Sequence, residues 1–168
     1  MNSLELIEKL PLEIAVKLSQ NEKFQRLLVI DSPDVDGSSF QPMGWESLIN
    51  EGYLSISPIV FEDYTRKGIN TFSCVILDEL DFYNTDNNIS VNGRIYIGTN
   101  YDRQRLSNNE LRLLKMISEI KNTIDNCKFS ISGKLEVTHV GSVAYSQHCF
   151  GYIIEFKTKD QEEREIDI

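Results

Sequence analysis

The sequence predicts an α+β domain, in which an antiparallel or mixed sheet of about four strands packs on one long amphipathic helix, with further helices at the N-terminus. Two observations predict this class. Residues 71–157 hold two pairs of segments in which apolar and polar residues alternate, and a segment with helical spacing separates the pairs. Residues 1–30 repeat apolar side chains at every third or fourth position. A chain of 168 residues suits one domain better than two.

The N-terminal residues, 1–30, are expected to form short helices that dock on the core. Pro11 suits the first turn of a helix, so we expect one helix to end before it and a second to begin there. Asn21 is expected to cap a third helix over the stretch EKFQRLLVI.

A stretch rich in turn-forming residues, DSPDVDGSS, follows these helices. With Ser32 as the first ligand position of a calcium loop, Asp34, Asp36 and Gly37 fall third, fifth and sixth. The twelfth position, which needs a glutamate, is Met43. We therefore expect a connector made of turns rather than a calcium site, with a short helical turn at SLI farther on.

The segments TFSCVIL and ISVNGRIYIGTNY alternate as strands do, and NTDNN between them has the composition of a reversing turn, so they predict a hairpin. KLEVTHV and CFGYIIEFK predict a second pair of strands. His139 shares its alternation with Leu135 and Val137, which predicts a partly buried histidine.

The segment SNNELRLLKMISEIKNTID predicts the long helix. Ser107 and Glu110 have the spacing of a capping box, so the helix is expected to start beside them. The apolar stripe expected to face the sheet consists of Leu111, Leu114, Ile117, Ile120 and Ile124.

One face of the predicted sheet is left incompletely polar. Alternation places four residues on it: Val75, Leu77, Tyr96 and Ile153. Either the N-terminal helices cover this face or another subunit does, and in the second case the four residues form an oligomer interface.

The chain thus divides into helices at 1–30, a long loop and connector at 31–70, the α+β core at 71–157 and an acidic arm at 158–168. The formal charge of −9 opposes an extended grip on nucleic acid phosphates. No apolar run approaches the roughly 20 residues of a membrane span, and the N-terminus lacks a signal-peptide pattern. Three dispersed cysteines are expected to be reduced.

Candidate chemistry is sparse in this sequence. His139, His148 and Cys149 lack the paired spacing of a zinc site. Asp78, Glu79 and His148 are the candidates for a metal-dependent hydrolase, although the two acids also suit a solvated strand end. No glycine-rich phosphate loop occurs, and we expect neither a cofactor nor a bound metal.

The order of these segments is similar to that of tail-terminator-like and neck ring (head-to-tail connector) proteins of tailed bacteriophages. The resemblance runs from about Phe24 to Lys157, and a basic residue early in the long helix is matched by Arg105 or Arg112. The stretches that carry it are FQRLLVIDSPDVDG, ESLINEGYLSISPIV, FSCVILDELDF, ISVNGRIYIGTNYD, LRLLKMISEIKNTI and SGKLEVTHVGSVAYSQHCFGYIIEFKT.

The resemblance implies a virion structural protein without enzymatic activity, assembled in the host cytoplasm. Its partners would be further copies of itself in a closed ring and the other neck, portal and tail proteins, and DNA would pass through the lumen without sequence-specific binding. The alternatives are a small intracellular adaptor with one defined partner and the metal-dependent hydrolase.

Overall fold

The computed structural model describes residues 3–56, 68–82, 89–130 and 132–159, and these residues form an α+β domain. The described helices are α1 (Ser3–Ser19), α2 (Glu22–Val29), α3 (Trp45–Asn50), a short 3-10 helix (Tyr101–Arg103) and α4 (Arg112–Asn126). The described strands are β1 (Leu54–Ser55), β2 (Thr71–Phe82), β3 (Ile89–Asn100), β4 (Lys128–Phe129), β5 (Gly133–Ala144) and β6 (Cys149–Thr158).

The strands form one mixed sheet in the order β1-β2-β3-β6-β5-β4. Only β1 and β2 run parallel, and every other neighbouring pair is antiparallel. The four expected strands are β2, β3, β5 and β6, to which the fold adds two strands of two residues at the sheet edges. The α+β class is confirmed, but α1, α2 and α4 all contact the sheet, rather than one long helix alone.

The sheet has one face covered by helices, which we call the inner face, and we call the opposite one the outer face. Val75, Ile95 and Ile154 lie side by side on the inner face and are fully buried. They share one apolar core with residues of the helices: Leu10, Ile14, Leu18, Phe24, Leu28, Met116, Ile120 and Ile124. No helix of the described residues is long and apolar enough to cross a membrane.

The helix α1 continues through Pro11, so the expected break there is wrong. Proline removes one hydrogen bond inside a helix. Burial of Leu10, Ile14 and Leu18 in the core holds the helix together across that missing bond. Two other local predictions are confirmed, since the side chain of Asn21 accepts the N–H of Phe24 at 3.1 Å and a short helix, α3, contains SLI.

The start of α4 differs from the capping-box prediction. The helix begins at Arg112, its N-cap Leu111 makes no side-chain cap, and the Ser107 N–H donates to the Pro33 carbonyl instead. The stripe is offset too, because Leu113 and Met116 are buried whereas Leu114 is 48% exposed. Leu113 and Met116 belong to a second apolar stripe that overlaps the predicted one. Packing against α2 and the sheet buries this second stripe.

Two bulges change the alternation of the long strands. The register shifts between Leu77 and Glu79 in β2 and between Val137 and His139 in β5. An added residue reverses the side to which later side chains point. His139 is consequently exposed on the outer face, and the prediction of a partly buried histidine is wrong.

The stretch after α2 is a tight turn fixed to that helix. The Asp34 carboxylate accepts the N–H of Gly37 at 3.0 Å, and the Arg26 guanidinium donates to the carbonyls of Val35 and Ser38. A Cβ at Gly37 would meet the Asp34 carboxylate, which would have to move away from its present position. The expected turn NTDNN and the arm beyond Lys159 lie outside the described residues.

Candidate interaction surface

The outer face is built from residues that lie in register across four strands. One row consists of Cys74, Tyr96, Ile153 and Gly141, and both Tyr96 and Ile153 are partly exposed. The apolar cluster on this side contains no residue of a described helix. Within the described chain, the outer face is therefore a sheet surface that the helices leave uncovered.

One end of the outer face is closed by Tyr145, which lies across two glycines. Its hydroxyl donates to the Ile97 carbonyl at 3.2 Å, and its ring meets Phe72 edge to face with centroids 5.1 Å apart. A Cβ on Gly98 or Gly151 would overlap this aromatic pair or the strand backbone. The glycines thus allow an aromatic side chain to lie flat on the sheet.

Burial at this end disfavours charge. It raises the pKa of the Cys149 thiol to about 11, and it raises the pKa of Tyr145 well above the ordinary tyrosine value. Both groups are consequently neutral at physiological pH. This end of the face is a small dry cluster rather than a reactive thiol site.

A charged band crosses the other part of the outer face. The Arg94 guanidinium donates to the Asp78 carboxylate through two nitrogens, with Nε 2.7 Å from Oδ2. This hydrogen bond raises the pKa of Arg94 above its ordinary value. The Asn92 amide donates to Glu79 at 3.2 Å. The bulge in β2 places both consecutive acids on this side.

The four predicted interface residues are divided between the two faces. Tyr96 and Ile153 lie on the outer face, as expected. The placement of Val75 and Leu77 there is wrong, because Val75 is fully buried in the inner core and Leu77 packs against it. Alternation alone could not assign the faces of β2, since Phe72, Cys74 and Val75 are all buried.

The residues suggested for a hydrolase or a zinc site are not brought together. Asp78 lies beside Arg94, whereas His148 adjoins Cys149, which is opposite Asn100. Six residues of β3 separate these positions, or roughly 20 Å at about 3.3 Å per residue. His139 is equally distant from Cys149 along β6. Among the described residues, no group of three or more His, Cys, Asp or Glu could hold a metal ion.

A groove of about 690 Å³ lies on the helix side of the molecule, between α2, the turn after it and the start of α4. Leu27, Val35 and Leu106 form its apolar floor, and the exposed side chains of Leu111 and Leu114 border it. Its rim carries both signs of charge, including the ion pair of Lys115 with Glu110.

Arg112 is the residue whose importance sequence reasoning missed, because it lies outside the apolar stripe predicted for the long helix. It is fully buried. Its guanidinium donates to the carbonyls of Leu27, Ile30, Ser32 and Arg103 at 2.6 to 3.0 Å.

Burial lowers the pKa of Arg112, and Asp31 is the carboxylate that partly opposes this effect. Because carbonyls at the end of α2 lack helical partners, the guanidinium caps that helix and holds the following turn against α4. The one sequence feature that pointed to Arg112 was the family resemblance, which places a basic residue early in the long helix.

No protein-family model matches the sequence, and no curated protein matches it.

Proposed function

We propose that this protein is a virion structural protein of a tailed bacteriophage, forming an oligomeric ring in the neck or tail that joins portal and tail as a tail terminator or head-to-tail connector. The single observation that supports this most is the outer face. There, partly exposed Tyr96 and Ile153 lie beside the Asp78–Arg94 pair, with no described helix over them.

The mixed composition of this face suits contact between identical subunits. Apolar side chains at its centre supply burial, and the charged band beside them supplies orientation. A ring requires each subunit to present a surface that contacts a different surface of the next subunit. We propose the outer face for one of these two surfaces, and the net charge of −9 is compatible with a lumen through which DNA passes.

The first test is the mass of the purified protein over a wide concentration range, by native mass spectrometry and negative-stain electron microscopy. We expect closed rings whose mass is a multiple of the 19.3 kDa chain. A monomer at every concentration, also with neck and tail proteins present, would contradict the ring and favour the adaptor.

The second test is a charge placed on the outer face. Ile153→Glu should reduce assembly by at least about tenfold, because it leaves a carboxylate buried in the contact without a partner. Asn122→Glu, on the exposed side of α4, is the matched control and should assemble as the unaltered protein does. Circular dichroism must show that both variants fold, and equal assembly of the two would exclude the outer face.

A further inference from the structure

The edge of β5 that faces away from β6 is covered along only part of its length. β4 pairs with Gly133 and Lys134, and the Asp125 carboxylate of α4 accepts the Val137 N–H at 3.2 Å. From Val140 to Ala144 no residue of the described chain pairs with this edge. Described residues therefore cap one half of the edge, and no described residue caps the other half.

The pairing with β6 shows which backbone groups are free. Tyr145 and Cys149 form a hydrogen-bonded pair, because the Tyr145 N–H donates to the Cys149 carbonyl at 3.0 Å. Hydrogen-bonded and non-hydrogen-bonded pairs alternate in an antiparallel ladder. Val140, Ser142 and Ala144 therefore direct their N–H and C=O groups away from β6. We call this stretch, Val140–Ala144, the free edge.

Within the described chain, the free edge lacks most of the devices that normally prevent strands from pairing between molecules, since the bulge of β5 lies just before it. Lysine, proline, a bulge or a covering element usually protects an edge. Residues 140–147 contain no Lys, Arg, Asp, Glu or Pro. Two copies of a chain with a formal charge of −9 repel each other overall, and this uncharged strip adds nothing to that repulsion.

One exposed apolar side chain lies on the free edge, and another lies on the far side of β6 from it. Val140 is 36% exposed, and Tyr101 is 55% exposed although its ring stacks on Phe150 at 4.7 Å. Phe150 is opposite Ala144 in the ladder. A strand added here would therefore gain apolar contact with Val140 as well as backbone hydrogen bonds.

We infer that the free edge pairs with an extended strand of a second copy of this chain and so continues the sheet across the subunit boundary. This inference rests on the self-association in the proposed function and names one contact within it. A second copy is favoured as the occupant because identical chains meet in the proposed function, and the residues from 140 to 147 add no charge to the repulsion between them.

The decisive variant is Ser142→Pro, which removes one outward N–H and leaves the ladder with β6 intact. Ser142→Ala is its matched control, because it loses the same hydroxyl but keeps the N–H. Val140→Lys is a second variant that charges the edge without altering the backbone. Ser142→Pro and Val140→Lys should each weaken association at least about tenfold. A tenfold change corresponds to the loss of one to two backbone hydrogen bonds. Ser142→Ala should assemble normally.

The measurements are native mass spectrometry and residue-resolved amide hydrogen exchange of the full chain, with thermal unfolding to verify that each variant folds. In the assembled protein, the amides of Val140, Ser142 and Ala144 should be protected relative to the dilute monomer. The edge pairing would be overturned if the protein assembled while these amides stayed unprotected, or if both edge variants assembled as well as the unaltered protein. Either result would leave the ring proposal standing. Closed dimers that depend on the edge would support the pairing and overturn the ring, whereas a wild-type chain that is always monomeric would overturn both.

Discussion

The inner and outer faces of the sheet are made by alternate residues of the same strands, yet they differ in burial and in composition. Ile154 on the inner face is fully buried between β3, β5 and the helices, whereas its chain neighbour Ile153 on the outer face is partly exposed. The inner face is buried and mostly apolar, with Thr71, Ser73 and Thr99 as buried polar residues. The outer face combines a dry aromatic end, two exposed apolar residues and a charged band. The comparison teaches that the helices determine which face is core, since both faces carry apolar residues.

The largest expected effect is on the helix side, at Arg112. Arg112→Met should lower the free energy of unfolding by about 3–5 kcal/mol, because buried carbonyls at the end of α2 lose a charged donor. Arg105→Met changes an exposed side chain and should cost less than about 0.5 kcal/mol. Urea unfolding followed by circular dichroism measures both, and similar values would show that the four hydrogen bonds contribute little.

Substitutions of the neighbouring isoleucines of β6 directly compare how much each face contributes to the free energy of unfolding. Ile154→Ala should cost about 2–5 kcal/mol by leaving a cavity in the core. Ile153→Ala should cost about 1 kcal/mol or less in the monomer. The same unfolding measurement, made at a concentration where the chain is monomeric, gives the cost of each substitution separately. A large cost at Ile153 would mean that the outer face is covered within one chain.

Substitutions of glycines on the outer face test how closely the side chains are packed at its closed end. Gly151→Ala should cost about 1–3 kcal/mol, since the added methyl overlaps the Ile97 carbonyl and the Tyr145 ring. Gly141→Ala is the control on the same face, where the nearest atom is 3.4 Å away at His139. Thermal unfolding of both should show a lower midpoint for Gly151→Ala only, and a similar loss in both would indicate a general intolerance of side chains in these strands.

The last expected effect is absent at neutral pH and appears only at alkaline pH, at the same closed end. The folded pKa of Cys149, about 11, is raised above the unfolded value of about 8.5. The stabilisation from the neutral thiol is therefore complete below about pH 8.5 and is lost as the pH rises toward 11.

Unfolding free energies at pH 8 and pH 10.5 should consequently differ less in Cys149→Ala than in the unaltered protein. Cys127→Ala, at a partly exposed position, serves as the control and should keep the full difference. An unchanged pH dependence in Cys149→Ala would show that the thiol ionises as easily in the folded state as in the unfolded one.

The parts of the fold that sequence predicted are those governed by local chemistry. Alternating residues predicted β2, β3, β5 and β6, and the Asn21 cap predicted the start of α2. For the candidate surface, the same alternation correctly placed Tyr96 and Ile153. It failed for Val75 and Leu77, because β2 is apolar on both sides and alternation carries no information about which side the helices cover.

The sequence by itself determined that this chain forms an α+β domain, with two strand pairs and a helix between them, because side-chain period and capping act over a few residues. Only the tertiary structure decided which face became core, where the bulges moved Asp78 and His139, and that Arg112 is buried among carbonyls. These outcomes depend on contacts between residues far apart in the chain, such as Arg112 and Leu27, and no local pattern records those contacts.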